Sequence, residues 1–70
     1  MTHSKEIHSF ESFSICRSVG GDYYAEMDDG TEVLLLSPSG SDEHRHEIYW
    51  IESPNRTASD FVEAYPEIKS

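Results

Sequence analysis

The sequence has few of the features that reinforce small proteins. Its single cysteine, Cys16, excludes an intramolecular disulfide framework and is typical of a reducing compartment. There is no apolar run long enough to span a membrane, and the first twenty residues lack the apolar segment of a secretory signal. With 70 residues, 36% of them apolar, the chain can build only one small core, which excludes a two-domain enzyme or a nucleotide-binding α/β sheet. We therefore expect a single cytoplasmic domain.

Basic residues are also scarce, since five Lys and Arg oppose fourteen Asp and Glu for a net charge of −9. Such a charge repels nucleic-acid phosphate and anionic lipid, so direct nucleic-acid binding and membrane association are disfavoured. It attracts a basic protein surface, and the basic surfaces of proteins commonly hold nucleic acid. The alternatives are that the acids keep a small protein in solution or reflect adaptation to salt.

The acids are concentrated in the middle of the chain. Residues 22–32 contain five acids and no base, so they carry −5 of the net charge of −9. A second acidic group lies within residues 42–47. Together with one tyrosine between the first acids, these are the candidate partner-binding residues: Asp22, Tyr24, Glu26, Asp28, Asp29, Glu32, Asp42, Glu43 and Glu47.

Alternation of apolar and polar residues predicts four strands. They are residues 10–19, 23–27, 33–36 and 44–52, the last ending in the apolar run Ile48-Tyr49-Trp50-Ile51. Gly20-Gly21 predicts the turn between the first two strands. Residues 1–9 are polar and expected to be loosely ordered, with a short helix capped by Ser4 as the alternative.

Asp28-Asp29-Gly30 predicts a hairpin, because Asp-Gly pairs accept the positive φ of tight turns. Two registers remain open. A two-residue turn places Ala25 opposite Leu34, whereas a three-residue turn with a glycine bulge places Ala25 opposite Val33. The apolar run 33–36 does not decide between them, because both of its faces are apolar.

The last part of the chain changes to a helical period. Thr57 and Asp60 have the spacing of a capping box, Phe61 and Tyr65 share a face, and Pro66 ends the helix. The sequence thus predicts an α+β fold: a small four-stranded antiparallel meander with a short C-terminal α-helix packed on one face. The domain is expected to comprise residues 10–70.

Little in the sequence indicates catalysis. Arg17 could lower the pKa of the Cys16 thiol, yet no cysteine–histidine signature accompanies it. His44 and His46 would share one strand face and could bind a metal with Glu43 or Cys16, although a solvated strand end explains them more simply. We expect no enzyme activity, no catalytic residue, no cofactor and no metal.

Two functions of different classes follow. The first is a non-enzymatic inhibitor that mimics DNA or RNA: same-face strand carboxylates such as Glu26 and Asp28, about 6.5–7 Å apart, are spaced like phosphates and would occupy a basic nucleic-acid-binding surface. In size, charge and lack of a catalytic motif, the chain resembles the small anti-CRISPR inhibitors of phages, which implies action in the host cytoplasm. The second is a structural or accessory subunit that forms a homodimer or a complex through apolar strand residues, 33–36 or 48–51.

Overall fold

The chain folds into one antiparallel sheet with helices on one side, in a computed structural model that describes residues 4–38 and 42–68, the side chain of Asp42 excepted. The strands are β1 (Lys5–Ser9), β2 (Phe13–Arg17), β3 (Tyr23–Met27) and β4 (Glu32–Leu36), paired in chain order. The helices are α1 (Arg45–Glu52) and α2 (Ala58–Ala64), with 3₁₀ turns at Asp42–His44 and Pro66–Ile68. The predicted α+β class and antiparallel meander are confirmed, although two elements differ from the prediction.

The core lies between the sheet and the helices. Alternate residues of β2 and β3 supply one wall, and the helices with the final 3₁₀ turn supply the other. The buried members of this core are Phe13, Ile15, Tyr23, Ala25, Ile51, Phe61 and Ile68, each at most 5% exposed. Both helices therefore pack on the same face of the sheet, which we call the inner face.

The predicted fourth strand, residues 44–52, is wrong: this segment forms helix α1. A short run of large apolar residues fits a buried helix as well as a strand, and periodicity alone does not separate the two. In α1, Ile48 and Ile51 are three positions apart and share the face that packs on the core, whereas Tyr49 points away and is 66% exposed. The β-forming preference of the run gives way to the need to cover the inner face.

The fourth strand comes instead from the N-terminus. Residues 5–9, expected to be loose or helical, form the edge strand β1 and pair with β2. A β-bulge between Glu6 and His8 breaks the alternation that would have revealed the strand. Past the bulge, His8 is on the inner face, where its Nε2 donates to the Ile51 carbonyl at 2.7 Å.

The hairpin at residues 28–30 adopts the three-residue form. Ala25 pairs with Val33, and Gly30 has φ +92° and donates its amide to the Met27 carbonyl at 3.0 Å. This is the glycine-bulge alternative of the two registers. It places Val33 on the inner face beside Ala25.

A second bulge explains why residues 33–36 are apolar on both parities. Tyr24 pairs with Leu34 and Tyr23 with Leu36, so Leu35 is the extra residue. After it, Leu36 returns to the inner face, and residues 33, 35 and 36 all pack against the core. Leu34 alone faces the other way and is 59% exposed.

Helix α2 follows the sequence prediction closely. Thr57 Oγ1 accepts the Asp60 amide at 3.2 Å, and the Asp60 carboxylate accepts the Thr57 amide at 2.9 Å, which is the capping box. Phe61 is fully buried, and Pro66 begins the 3₁₀ turn after the helix. The capping box and the apolar face both predict a helix here, so the local sequence is sufficient to define α2.

The glycines of the turns give a direct test of the backbone. At Gly30 an added Cβ would meet no atom within 4 Å, but the φ of +92° is unfavourable for any other residue. We expect Gly30→Ala to lower the free energy of unfolding by about 1 kcal/mol. Urea denaturation measures this change. Gly20→Ala is the matched control, because Gly20 has no positive φ and its Cβ would lie 3.9 Å from Ser18 Oγ. Equal losses in both variants would contradict the glycine-bulge hairpin.

Candidate partner-binding face

The opposite face of the sheet, which we call the outer face, is not covered by any helix of residues 4–38 and 42–68. Strand pairing places its side chains in two cross-strand rows. One row is Glu6, Cys16, Tyr24 and Leu34, and the next is Ser9, Ser14, Glu26 and Glu32. The three glutamates are exposed, whereas Tyr24 and Ser14 are half-buried. The outer face is therefore a solvent-facing surface of carboxylates, hydroxyls and one aromatic ring.

The three glutamates converge on Cys16. This thiol is only 5% exposed although it lies on the outer face. Burial raises the pKa of the Cys16 thiol above its ordinary value of 9.0, and the negative charge of Glu26 raises it further. A hydrogen bond with Tyr24 acts in the opposite direction, and smaller contributions from Glu6 and Glu32 raise the pKa again. Arg17 does not lower the pKa of this thiol as the sequence suggested. The thiol is thus a poor nucleophile, consistent with a packed rather than a catalytic cysteine.

The lysine and arginines that the structure describes do not lie on the outer face. Lys5 and Arg17 are direct cross-strand partners at inner-face positions, and the Arg17 guanidinium is 5.9 Å from the centre of the Tyr23 ring. Arg45 belongs to α1, and the Arg56 guanidinium lies 4.2 Å above the Trp50 ring. Within residues 4–38 and 42–68, no lysine or arginine occupies an outer-face position.

Tyr23 is an inner-face residue whose hydroxyl group has a hydrogen-bond partner within the fold. Its hydroxyl donates to the Glu52 carboxylate at the end of α1. Burial, followed by this hydrogen bond and the charge of Glu52, raises the pKa of Tyr23 to about 12. Glu52 is thereby engaged within the fold, unlike the outer-face glutamates.

Two like charges lie directly opposite each other on the outer face. Glu26 of β3 pairs across the ladder with Glu32 of β4. Among the described residues neither carboxylate makes a hydrogen bond or an ion pair. Opposed like charges in neighbouring strands destabilise a sheet by about 0.2–1 kcal/mol. Folding does not require this pair and would be favoured by its removal.

A shallow cleft of about 380 Å³ lies at one end of the outer face. Its lining consists of Tyr24 and Leu34, the acids Asp22 and Glu32, and the serines Ser4 and Ser18. The Tyr24 hydroxyl donates to Ser4 Oγ at 2.8 Å, and the Ser37 hydroxyl donates to the Asp22 carboxylate at 2.8 Å. The cleft thus combines an aromatic ring, an aliphatic side chain and two carboxylates.

The structure divides the predicted partner-binding residues into groups. Tyr24, Glu26 and Glu32 lie together on the outer face, and Asp22 joins them at the cleft. Asp28 and Asp29 occupy the hairpin loop, where the Thr31 amide donates to Asp29 at 2.9 Å. Asp28 directly follows the last residue of β3 and lies outside the ladder that contains Glu26, so the phosphate-like spacing of these two carboxylates stays a prediction.

The second acidic group belongs to the other layer. Glu43 lies in the 3₁₀ turn before α1 and Glu47 in α1, so neither is part of the sheet. The side chain of Asp42 lies outside the described residues. Conversely, the sequence prediction omitted Glu6, because β1 was not recognised. Ser12, in the turn between β1 and β2, was the weak signal that could have indicated the strand before it.

The histidine pair is also separated by the change from strand to helix. His44 ends the 3₁₀ turn and His46 lies in α1, so positions two apart no longer share a face. His44 Nδ1 is instead 3.4 Å from a Glu47 carboxylate oxygen. In the described part of the chain, no three His, Cys, Asp or Glu side chains are grouped to hold a metal ion.

Comparison of the chain with models of known families, with curated proteins and with solved structures finds no match. In the described ranges, 4–38 and 42–68, no helix has both the length and the apolar character to cross a membrane. The outer face must therefore be interpreted from its own geometry.

The convergence of glutamates on Cys16 predicts a measurable pH profile. We expect the rate of iodoacetamide alkylation to rise with a midpoint above pH 9, because the thiolate is disfavoured in the folded protein. Glu26→Gln should move the midpoint to lower pH, since it removes a negative charge that raises this pKa. Glu63→Gln on α2 is the control and should leave the profile unchanged. A midpoint that is the same in both variants would show that Glu26 does not face the thiol.

The opposed glutamates predict a gain in stability on neutralisation. Glu32→Gln should raise the free energy of unfolding by about 0.2–1 kcal/mol at neutral pH and low salt. The gain should shrink at ~1 M salt, where the Debye length is ~3 Å. Denaturant titration of the wild type and the variant at both salt concentrations measures it. A loss of stability would contradict the described pairing of Glu32 with Glu26.

Proposed function

We propose that this chain is a small non-enzymatic binding module whose outer face occupies a basic, nucleic-acid-binding surface of another protein. The observation that carries the proposal is the set Glu6, Glu26 and Glu32, gathered on an open sheet face that has no described base. Each carboxylate is available for a partner's lysine or arginine.

The unfavourable pair of Glu26 and Glu32 supports a role in binding. Natural sequences lose stability through like-charge pairs, and a stability cost located on an exposed surface is typical of a site retained for function. A cation placed between the two carboxylates would convert their repulsion into attraction. Binding would thus remove a strain that folding alone leaves in place.

The distribution of bases supports the same proposal. Because Lys5, Arg17 and Arg56 are on the helical side or at its edge, the negative potential of the outer face is not neutralised from within. An unneutralised acidic surface steers basic partners and repels nucleic acid itself. Mimicry of nucleic acid then rests on the density of charge on one face rather than on a repeat along one strand.

An anti-CRISPR-type inhibitor, encoded by a phage and acting in the host cytoplasm, is the concrete form that the resemblance in size and charge suggests. The alternative of an apolar assembly subunit has less support. Residues 48–51 belong to α1 and mostly cover the core, and Leu34 is the one apolar residue of β4 that is exposed on the outer face.

The test is capture from a bacterial lysate by the immobilised chain at ~0.1 M salt, followed by elution with duplex DNA and then with ~1 M salt. We expect proteins that bind nucleic acid to be retained and to be released by DNA, because DNA competes for the same basic surface. Glu26→Lys/Glu32→Lys should abolish retention.

The matched control is Glu63→Lys/Glu67→Lys, which changes two exposed glutamates of the helical layer. Both double variants alter the charge equally, from −9 to −5, since each reversal adds two. Retention that is lost equally in both would reduce the effect to net charge. Recovery of only copies of the chain itself, resistant to salt, would favour the assembly subunit instead.

A further inference from the structure

The cleft on the outer face suggests which side chain of the partner is recognised. We propose that the cleft between Tyr24 and Leu34 seats an arginine of the basic partner, with its guanidinium group against the Tyr24 ring and the Glu32 carboxylate. This inference rests on the proposed function and specifies the chemistry of its central contact.

The Tyr24 ring in the lining of the cleft suits the flat, weakly hydrated guanidinium group of arginine. Hydrogen bonding of the Tyr24 hydroxyl to Ser4 Oγ at 2.8 Å fixes the ring in place. A guanidinium stacks on an aromatic face and at the same time forks onto a carboxylate, whereas an ammonium group is a compact, strongly hydrated point charge. A ring beside a carboxylate therefore selects arginine over lysine.

Leu34 offers an apolar contact to the aliphatic part of the arginine side chain. It is 59% exposed on the outer face, opposite Tyr24, and the core makes no use of it. The aliphatic stem of an arginine can cover such a side chain while its head reaches the carboxylate. The exposed leucine and the half-buried tyrosine thus form one apolar floor for a long cationic side chain.

The carboxylates around the cleft can attract one cation of a partner, because no described lysine or arginine of the chain competes for them. Glu32 has no hydrogen bond or ion pair among the described residues, while Asp22 is held by Ser37 at 2.8 Å. Arg17, the arginine nearest in sequence, lies at an inner-face position near Tyr23. Glu32 is accordingly the carboxylate open to the fork, and Asp22 contributes long-range attraction from the preceding turn.

The test uses two peptides of equal length, one of arginine and one of lysine, titrated into the full chain at ~0.1 M salt. Nuclear magnetic resonance follows the backbone amides and gives a Kd for each peptide. We expect the arginine peptide to bind about two- to fivefold more tightly, within the strength of an exposed cation–π contact, because the strongly hydrated ammonium of lysine makes this contact less well. The largest shift changes should fall on residues 24, 32 and 34.

Two variants at Tyr24 isolate the ring. Tyr24→Phe keeps the aromatic face and should keep the preference for arginine, whereas Tyr24→Leu should bring the two Kd values together. Tyr49→Leu, which changes an exposed tyrosine of α1, is the control and should retain the preference. Thermal melts of each variant confirm that it folds.

The outcomes separate the two proposals. Equal Kd values for both peptides in the wild type, with shift changes on the outer face, would overturn the arginine cleft and leave the acidic binding face standing. Failure of both peptides to bind, or shift changes confined to the helical layer, would overturn the binding face together with the cleft.

Discussion

The structure depends on the packing of two short helices against one face of a four-stranded sheet. Phe61 and Ile51 of the helices belong to the same buried cluster as Ile15 and Ala25 of the central strands, and all four are fully buried. Seventy residues do not provide a third layer. The sheet is therefore covered once, and the residues of its other face are free of the demands of a core. The alternation of buried and more exposed residues along β2 and β3 follows from this difference between the two faces.

The two bulges adapt the edge strands to that one-sided arrangement. Each inserts one residue, Ile7 in β1 and Leu35 in β4, and each inserted side chain packs against the core. The edge strands thereby contribute more apolar surface to the inner face than strict alternation allows. Bulges also interrupt the regular row of hydrogen-bonding groups that an edge strand presents, which discourages pairing with another chain. The edges of the sheet are accordingly less suited than its face to contact with another chain.

Sequence reasoning succeeded where the local signals agreed and failed where packing decided. The alternation in β2 and β3, the glycine turns and the capping box of α2 are local, and the structure confirms them. In α1, by contrast, the run at residues 48–51 has the preferences of a strand, and only the uncovered inner face explains its helical form. In β1 a bulge hid the alternation. The same distinction applies to the candidate site. Tyr24, Glu26 and Glu32 lie together on neighbouring strands, as the alternation predicts. Glu43 and Glu47 lie in the helical layer instead, because the segment predicted to be a strand forms the 3₁₀ turn and α1.

The pairing of strands in chain order has a consequence for how the molecule acquires its structure. Every ladder of the sheet joins neighbours in the sequence, so each strand pairing closes a short loop, and hairpins of this kind form in about 1–10 μs. Folds dominated by such local contacts have a low contact order and fold quickly. The helices, by contrast, contact strands that are far from them in the sequence, as the hydrogen bond between His8 and the Ile51 carbonyl shows. We expect the meander to form first and the docking of α1 and α2 to complete the core. The strand pairing that creates the acidic outer face would then precede the burial of the inner face.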